Sequence, residues 1–199
     1  METLLECGFD EAGRGPLAGP VVAASCILPS SFPVECLNDS KKLSLKKRIF
    51  CDSLIRQTAL FSVAVVDHKT IDQINILNAS LLAMKIAYQQ MIEKLPEWAQ
   101  KQGISSWKIS CIADGNQIPD VTADFLKAEP KADGKYPCVM AASILAKVYR
   151  DNIMEKMDAL YPEYGYKKHK GYPTKEHMQI CRTIGPSPIQ RLSFNYNKT

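Results

Sequence analysis

Short apolar runs and helical stripes alternate along this chain. Residues 4–9 form a brief apolar run that reads as a strand, ending at Asp10-Glu11 and a glycine-rich turn, Gly13-Arg14-Gly15-Pro16. Residues 20–28 are continuously apolar and rich in β-branched side chains, the pattern of a buried strand. Ser44 is placed to cap a helix whose apolar face is Leu45, Ile49, Phe50 and Leu54. Residues 61–66 predict a third strand. From Thr70, the positions Ile71, Ile74, Leu77, Leu81, Met84, Tyr88, Met91 and Leu95 recur every three or four residues, so one stripe of a long helix faces a core and Pro96 marks its end. Residues 107–113 alternate as a strand and deliver Asp114-Gly115-Asn116. Residues 125–128 are one more short strand, before Lys131-Ala132-Asp133-Gly134. A second long helix runs over about 136–160 and stops at Tyr161-Pro162; Thr174 caps a last short helix ending near Gly185-Pro186. Hairpin-like strands followed by alternating helices and strands predict an α/β fold with a mixed sheet flanked by helices.

At 199 residues, 46% of them hydrophobic, the chain is one globular domain with room for an appendage. We expect a core over residues 1–160 and a basic, partly helical C-terminal extension over 161–199 packed on it. Charge supports the division. Residues 140–199 carry ten lysines and arginines against five acids, whereas residues 1–139 carry 15 against 16, an asymmetry that suits a polyanionic partner. No apolar run is long enough to span a membrane, and the acidic start METLLE is not a signal peptide, so the expected location is cytoplasmic. Seven scattered cysteines without CxxC spacing read as buried, reduced thiols.

Three strand-to-loop junctions end in carboxylates: Asp10-Glu11, Asp114 and Asp133. Asp before Gly is also ordinary turn chemistry, but Asp10-Glu11 follows an apolar strand directly. If the four acids converge, two charges ~4 Å apart repel by roughly 4 kcal/mol at an effective dielectric of ~20, so protons or cations must neutralise them. Oxygen-only ligands select hard cations, Mg²⁺ or Mn²⁺, and an all-carboxylate site for two such ions suits phosphodiester hydrolysis. His68, His169 and His177 form no ligand set and read as surface or loop residues. Residues 13–18 match the dinucleotide pattern GxGxx[GA], but a strand-like run follows where that pattern needs a helix, so a hairpin turn is expected; a nucleotide-dependent enzyme would show a helix after residue 18. In residues 164–175 (YGYKKHKGYPTK), Lys167, Lys168 and Lys170 are interleaved with tyrosines, which suits a nucleic-acid surface or equally a solvated loop with tyrosines packed inward. Lys41-Lys42 and Lys46-Lys47-Arg48 form a second basic cluster, read as a solvated helix face.

DEAGRGPLAGPVVAA (10–24), NDSKKLS (38–44), INILNASLLAM (74–84), IADGN (112–116), KADGKYPCVMAASILAKVYRD (131–151) and HKGYPTKEH (169–177) together resemble bacterial type 2 ribonuclease H, ribonuclease HII. The resemblance implies a ribonuclease H-like fold. It implies two-metal endonucleolytic cleavage of RNA–DNA hybrids and of duplex DNA with embedded ribonucleotides, on the 5′ side of the ribonucleotide, leaving 3′-hydroxyl and 5′-phosphate. The family's four metal-holding acids fall on Asp10, Glu11, Asp114 and Asp133. Gly13-Arg14-Gly15 would recognise the ribose 2′-hydroxyl, and Tyr172 would stack on the neighbouring deoxyribose. Ala132, where the family has Gly, and Pro173, within its usual Tyr-Gly-Thr, depart from the pattern. The partners implied are those duplexes, bound by a monomer. A non-catalytic hybrid- or DNA-binding module would need the basic patches but not four intact acids.

Overall fold

The computed structural model describes residues 2–38, 40 and 43–194. Five strands form one sheet: β1 (Thr3–Ala12), β2 (Val21–Ile27), β3 (Leu60–Val66), β4 (Trp107–Asp114) and β5 (Phe125–Glu129), in the order β3-β2-β1-β4-β5. The first three are antiparallel neighbours, and β4 and β5 run parallel to β1. This is the expected mixed sheet. The segment after residue 18 enters β2, every residue of which is buried, so the GxGxx[GA] match is a hairpin connection and the dinucleotide reading fails on its own criterion.

Helices cover both faces. On one, α2 (His68–Ile92) packs the side of β1 that shows Cys7 and Phe9, with the Phe9 and Tyr88 rings 5.6 Å apart. The cap is Asp67, whose carboxylate accepts from the Thr70 N–H, so the helix starts two residues earlier than expected. It is broken at Asn75, with φ 65° and ψ 165°, and Asn75 Oδ1 restarts it by accepting from the Asn78 N–H. Nor does Pro96 simply end the element: it sits in the first turn of a further short helix, α3 (Leu95–Lys101), where proline lacks no needed donor.

On the opposite face lie α1 (Leu45–Thr58) and α4 (Pro137–Leu160). Ser44 caps α1 as expected, accepting from the Lys47 N–H. Of the predicted apolar face only Leu54 packs inward, partly buried. Leu45 and Phe50 are 66% and 64% exposed and Ile49 is exposed too, while Cys51 and Ile55 are buried against β2 and α4. The reason is the partner: α4 offers the small side chains Ala141, Ala142 and Ala146, and these receive Ile55 from the other side of the helix. The early part of α4 lies very close to β1, because Gly8 has no side chain; a Cβ there would come within 2.3 Å of the Cys138 backbone.

Beyond Tyr161, α5 (Tyr166–His169) and α6 (Lys175–Ile184) pack with the end of α4 and the glycine loop around Ala18, Met154, Tyr164, Tyr166 and Cys181. Thr174 caps α6 as expected. Among the described residues all seven cysteines are free and no helix is long and apolar enough to cross a membrane.

Candidate active site

Alternation along β1 decides what its two acids do. Neighbouring strand residues point to opposite faces. Asp10 therefore shares the Gly8 side and lies under α4, whereas Glu11 shares the Phe9 side and faces α2. Phe9 pairs with Ala113 in the parallel β1–β4 register, so Asp10, near the end of β1, lies beside Asp114 at the end of β4. Asp133 returns from the helical turn 132–134, which is tied to the same point: the Ala132 N–H donates to Asp114 Oδ1 at 2.7 Å. Carboxylate oxygens of Asp10, Asp114 and Asp133 lie within 4.8 Å of one another. Glu11 is not one of this group; it accepts from Arg14 Nη1 at 3.3 Å.

Burial raises the Asp10 carboxyl well above the ordinary carboxylate range, and the charges of Glu11 and Asp114 push the same way, against the Ser143 hydroxyl and the Glu11 N–H, which stabilise the anion. Three carboxylates with no nitrogen or sulfur ligand among them form a donor set for a hard divalent cation, and such a cation offsets the burial and the like charges that raise Asp10. The residues present thus fit Mg²⁺ or Mn²⁺.

The glycine loop borders the triad. Asp10 to Gly15, Ser143, Lys147 and Tyr172 line a cleft of about 530 Å³, and Glu11, Arg14, Ser80, Asp114 and Asn116 line a neighbouring one of about 300 Å³. Tyr172 is 40% exposed and faces Gly15, where an added Cβ would lie 3.6 Å from its ring. Gly13 is constrained differently: its φ is +101°, and a Cβ would fall 2.1 Å from Arg150 Nε.

Two buried arginines hold this loop, and no sequence pattern pointed to either. Arg150, on α4, donates to the carbonyls of Pro20, Lys170 and Ala18 (2.9, 3.0 and 3.1 Å). Arg191 donates to those of Gly19, Arg14, Gly13 and Pro20 (2.9, 3.0, 2.6 and 3.0 Å). Burial lowers Arg150 to about 10 and Arg191 to about 9, the latter helped by the Arg150 charge; both stay cationic at neutral pH. Sequence reasoning also missed Ser143 and Lys147. They recur at helical spacing from Val139 in the α4 motif, the one local signal that places them on the Asp10 side. Ser40 reaches Ser143, hydroxyl to hydroxyl at 2.9 Å.

The basic loop is less free than its composition suggests. Lys168 is ion-paired with Glu176 and Lys170 with Glu155, while Lys167 is exposed. Tyr164 and Tyr166 pack inward, stacked 5.7 Å apart. His169 and His177 are buried and stacked at 4.4 Å, which corrects the expectation of surface histidines; Tyr166 packs edge-on against both. Lys41-Lys42 and Asp39 lie outside the described residues.

A family model described as Ribonuclease HII matches residues 7–197. The chain is 48% identical to the ribonuclease HII of Treponema denticola, over 94% of this chain and 96% of that protein. Its fold is similar to the crystal structure of ribonuclease H2 from Pyrococcus horikoshii, with a TM-score of 0.70 and 26% identity over 96% of this chain and 94% of that one. It is also similar to the Bst ribonuclease HIII crystallised with Mn²⁺, with a TM-score of 0.73 and 17% identity over 98% and 68%.

Proposed function

This chain belongs to the ribonuclease HII family, metal-dependent endonucleases acting on RNA–DNA hybrids, and from that premise we propose how its own residues carry the reaction. Asp10, Asp114 and Asp133 hold Mg²⁺ or Mn²⁺, with Glu11 contributing from the other side of β1 when Arg14 turns to substrate. Bound there, divalent cations supply charge neutralisation and an activated water for phosphodiester hydrolysis. The observation that carries the reading is the convergence of three buried or half-buried carboxylates beside a cleft walled by Gly13, Arg14, Gly15 and Tyr172.

The protein groups have separate tasks. Ser143 donates to Asp10 and holds that carboxylate in place. The glycine loop receives the ribose, whose 2′-hydroxyl is the only chemical difference from deoxyribose at that sugar. Tyr172 stacks on the next deoxyribose, and Lys147, Lys167, Lys168 and Lys170 meet phosphates. Cleavage falls on the 5′ side of the ribonucleotide, in long hybrids and at single ribonucleotides embedded in DNA. The catalytic core is residues 1–160 and the basic extension is 161–199. Seven free thiols fit the reducing cytoplasm.

The test is cleavage of a duplex with one embedded ribonucleotide and of a long RNA–DNA hybrid, with and without Mg²⁺ or Mn²⁺. Metal-dependent cleavage of both is expected, with 3′-hydroxyl and 5′-phosphate ends. In Tyr172→Ala, kcat/KM falls more on the single-ribonucleotide duplex than on the hybrid. Equal losses leave Tyr172 as a packing residue.

A further inference from the structure

Arg191 lies in the segment after α6, far along the chain from the loop it holds. That segment runs beside the loop as a strand would: the Arg191 N–H donates to Leu17 O at 2.8 Å, the Gly19 N–H donates to Ile189 O at 2.9 Å, and Ala18 bridges Gln190. Just beyond, Asp72 on α2 anchors the chain by accepting from the N–H groups of Leu192 and Ser193, both at 2.9 Å, and from the Ser193 hydroxyl. The Arg191 side chain is thereby delivered beneath residues 13–20, fully buried, with no ion-pair partner among the described residues.

Peptide planarity turns this bonding into an orientation. In a trans peptide the C=O and the following N–H point in opposite directions. The carbonyls of Gly13 and Arg14 both point at the Arg191 guanidinium. The N–H groups of Arg14 and Gly15 therefore point away from it, and both residues line the cleft that Gly13 and Tyr172 also wall. Among the described residues neither N–H has a hydrogen-bond partner. A guanidinium is suited to this task because its planar fork serves several carbonyls at once. Lysine retains the charge without the fork, and glutamine offers two donors and no charge.

We propose that Arg191 is a positioning residue for sugar discrimination: by gathering the Gly13 and Arg14 carbonyls it presents two backbone N–H groups to the oxygen of a ribose 2′-hydroxyl. This rests on the ribonuclease reading above and assigns the C-terminal segment a part in substrate choice.

The experiment compares two duplexes of one sequence, one with a single ribonucleotide and one wholly deoxy, by fluorescence anisotropy in metal-free buffer where neither is cut. Wild type binds the ribonucleotide duplex more tightly. In Arg191→Gln and Arg191→Lys that preference falls by about tenfold, the scale of one or two hydrogen bonds, while affinity for the deoxy duplex stays within about twofold. A residue that merely supports the fold would weaken both duplexes together, so equal losses, or an unchanged preference, overturn the proposal. Should the Arg191 variants lack a cooperative melt, Asp72→Ala is measured in the same way, since it releases residues 192–193 and leaves the buried cation in place. A several-fold loss of preference is expected, and wild-type preference overturns the proposal. Wild type that does not distinguish the duplexes overturns instead the ribonuclease reading on which the role of Arg191 depends.

Discussion

Asp10 is a carboxylate in a place that disfavours its charge. It is buried under α4 beside Asp114 and Asp133, and its pKa is raised first by burial and then by like charges. The sign of the consequence is definite. Between the ordinary carboxylate range and the raised value, the metal-free folded protein binds a proton that the unfolded chain has lost, so its stability falls as pH rises through that window. Asp10→Asn removes the conflict. The variant should melt higher than wild type in metal-free buffer near neutral pH, the gain vanishing below about pH 4, where the unfolded carboxyl is also protonated. With Mg²⁺ present, kcat should fall by orders of magnitude while duplex binding persists. A cleavage rate within a few-fold of wild type would exclude Asp10 from the metal site.

The two loop glycines separate just as cleanly. Gly13 has φ +101° and no room for a Cβ, whereas Gly15 has ordinary van der Waals space next to Tyr172. Gly13→Ala should cost about 2 kcal/mol or more, because it adds left-handed strain and displaces Arg150. Gly15→Ala should leave the thermal midpoint close to wild type, so any fall in cleavage there reports on substrate. Denaturant melts of both variants check the contrast.

At the scale of elements, the break in α2 is the feature with the clearest energetic signature. Asn75 occupies a backbone region that is almost exclusive to glycine, which costs of order 1–3 kcal/mol, and its side chain offsets part of that by capping the following turn. Asn75→Ala keeps the strain and loses the cap, so it should destabilise by about 1–2 kcal/mol. Asn75→Gly loses the cap but relieves the strain and should lie within about 0.5 kcal/mol of wild type. Chemical denaturation that ranked glycine below alanine would show that the backbone at residue 75 stores no such strain. The break falls just before Leu77, Ser80 and Leu81, which line the cleft beside Glu11 and Asp114, so the geometry of α2 bears directly on that wall.

Over the whole molecule, charge is arranged for a polyanion but partly neutralised in the free protein. Lys168 and Lys170 are held by Glu176 and Glu155. Arg150 and Arg191 carry two buried positive charges behind the glycine loop, bonded to carbonyls. If these lysines meet phosphates, as proposed, duplex binding exchanges lysine–carboxylate pairs for lysine–phosphate pairs. Replacing Lys167, Lys168 and Lys170 by Ala should weaken binding whatever the sequence, and flatten log K against log[salt] by up to about 0.9 for each lysine–phosphate pair removed. Glu155→Gln with Glu176→Gln should tighten binding at low salt by freeing two lysines. An unchanged salt slope in the triple variant would mark the loop as solvated surface.

Local features were legible along the chain: the strands β1 to β5, the caps at Ser44 and Thr174, the glycine turn, and the acids at the ends of β1 and β4. They follow from periodicity and from side chains acting on neighbours within a few residues. Asp133 was legible as a carboxylate beyond a strand end, whereas the family resemblance carried the roles expected of Gly13 to Gly15 and Tyr172, which no periodicity marks. Packing between distant elements settled the rest. The small side chains of α4 selected Ile55 over Leu45 and Phe50 as the buried side of α1. The pairing of β1 with β4 set Asp10 beside Asp114, and the fold of the extension turned the expected surface histidines into a buried stack. Arg150 and Arg191 were the least legible of all. Backbone carbonyls are the same at every residue, so an arginine that binds four of them from the far end of the chain, as Arg191 does, leaves no pattern for periodicity or spacing to display.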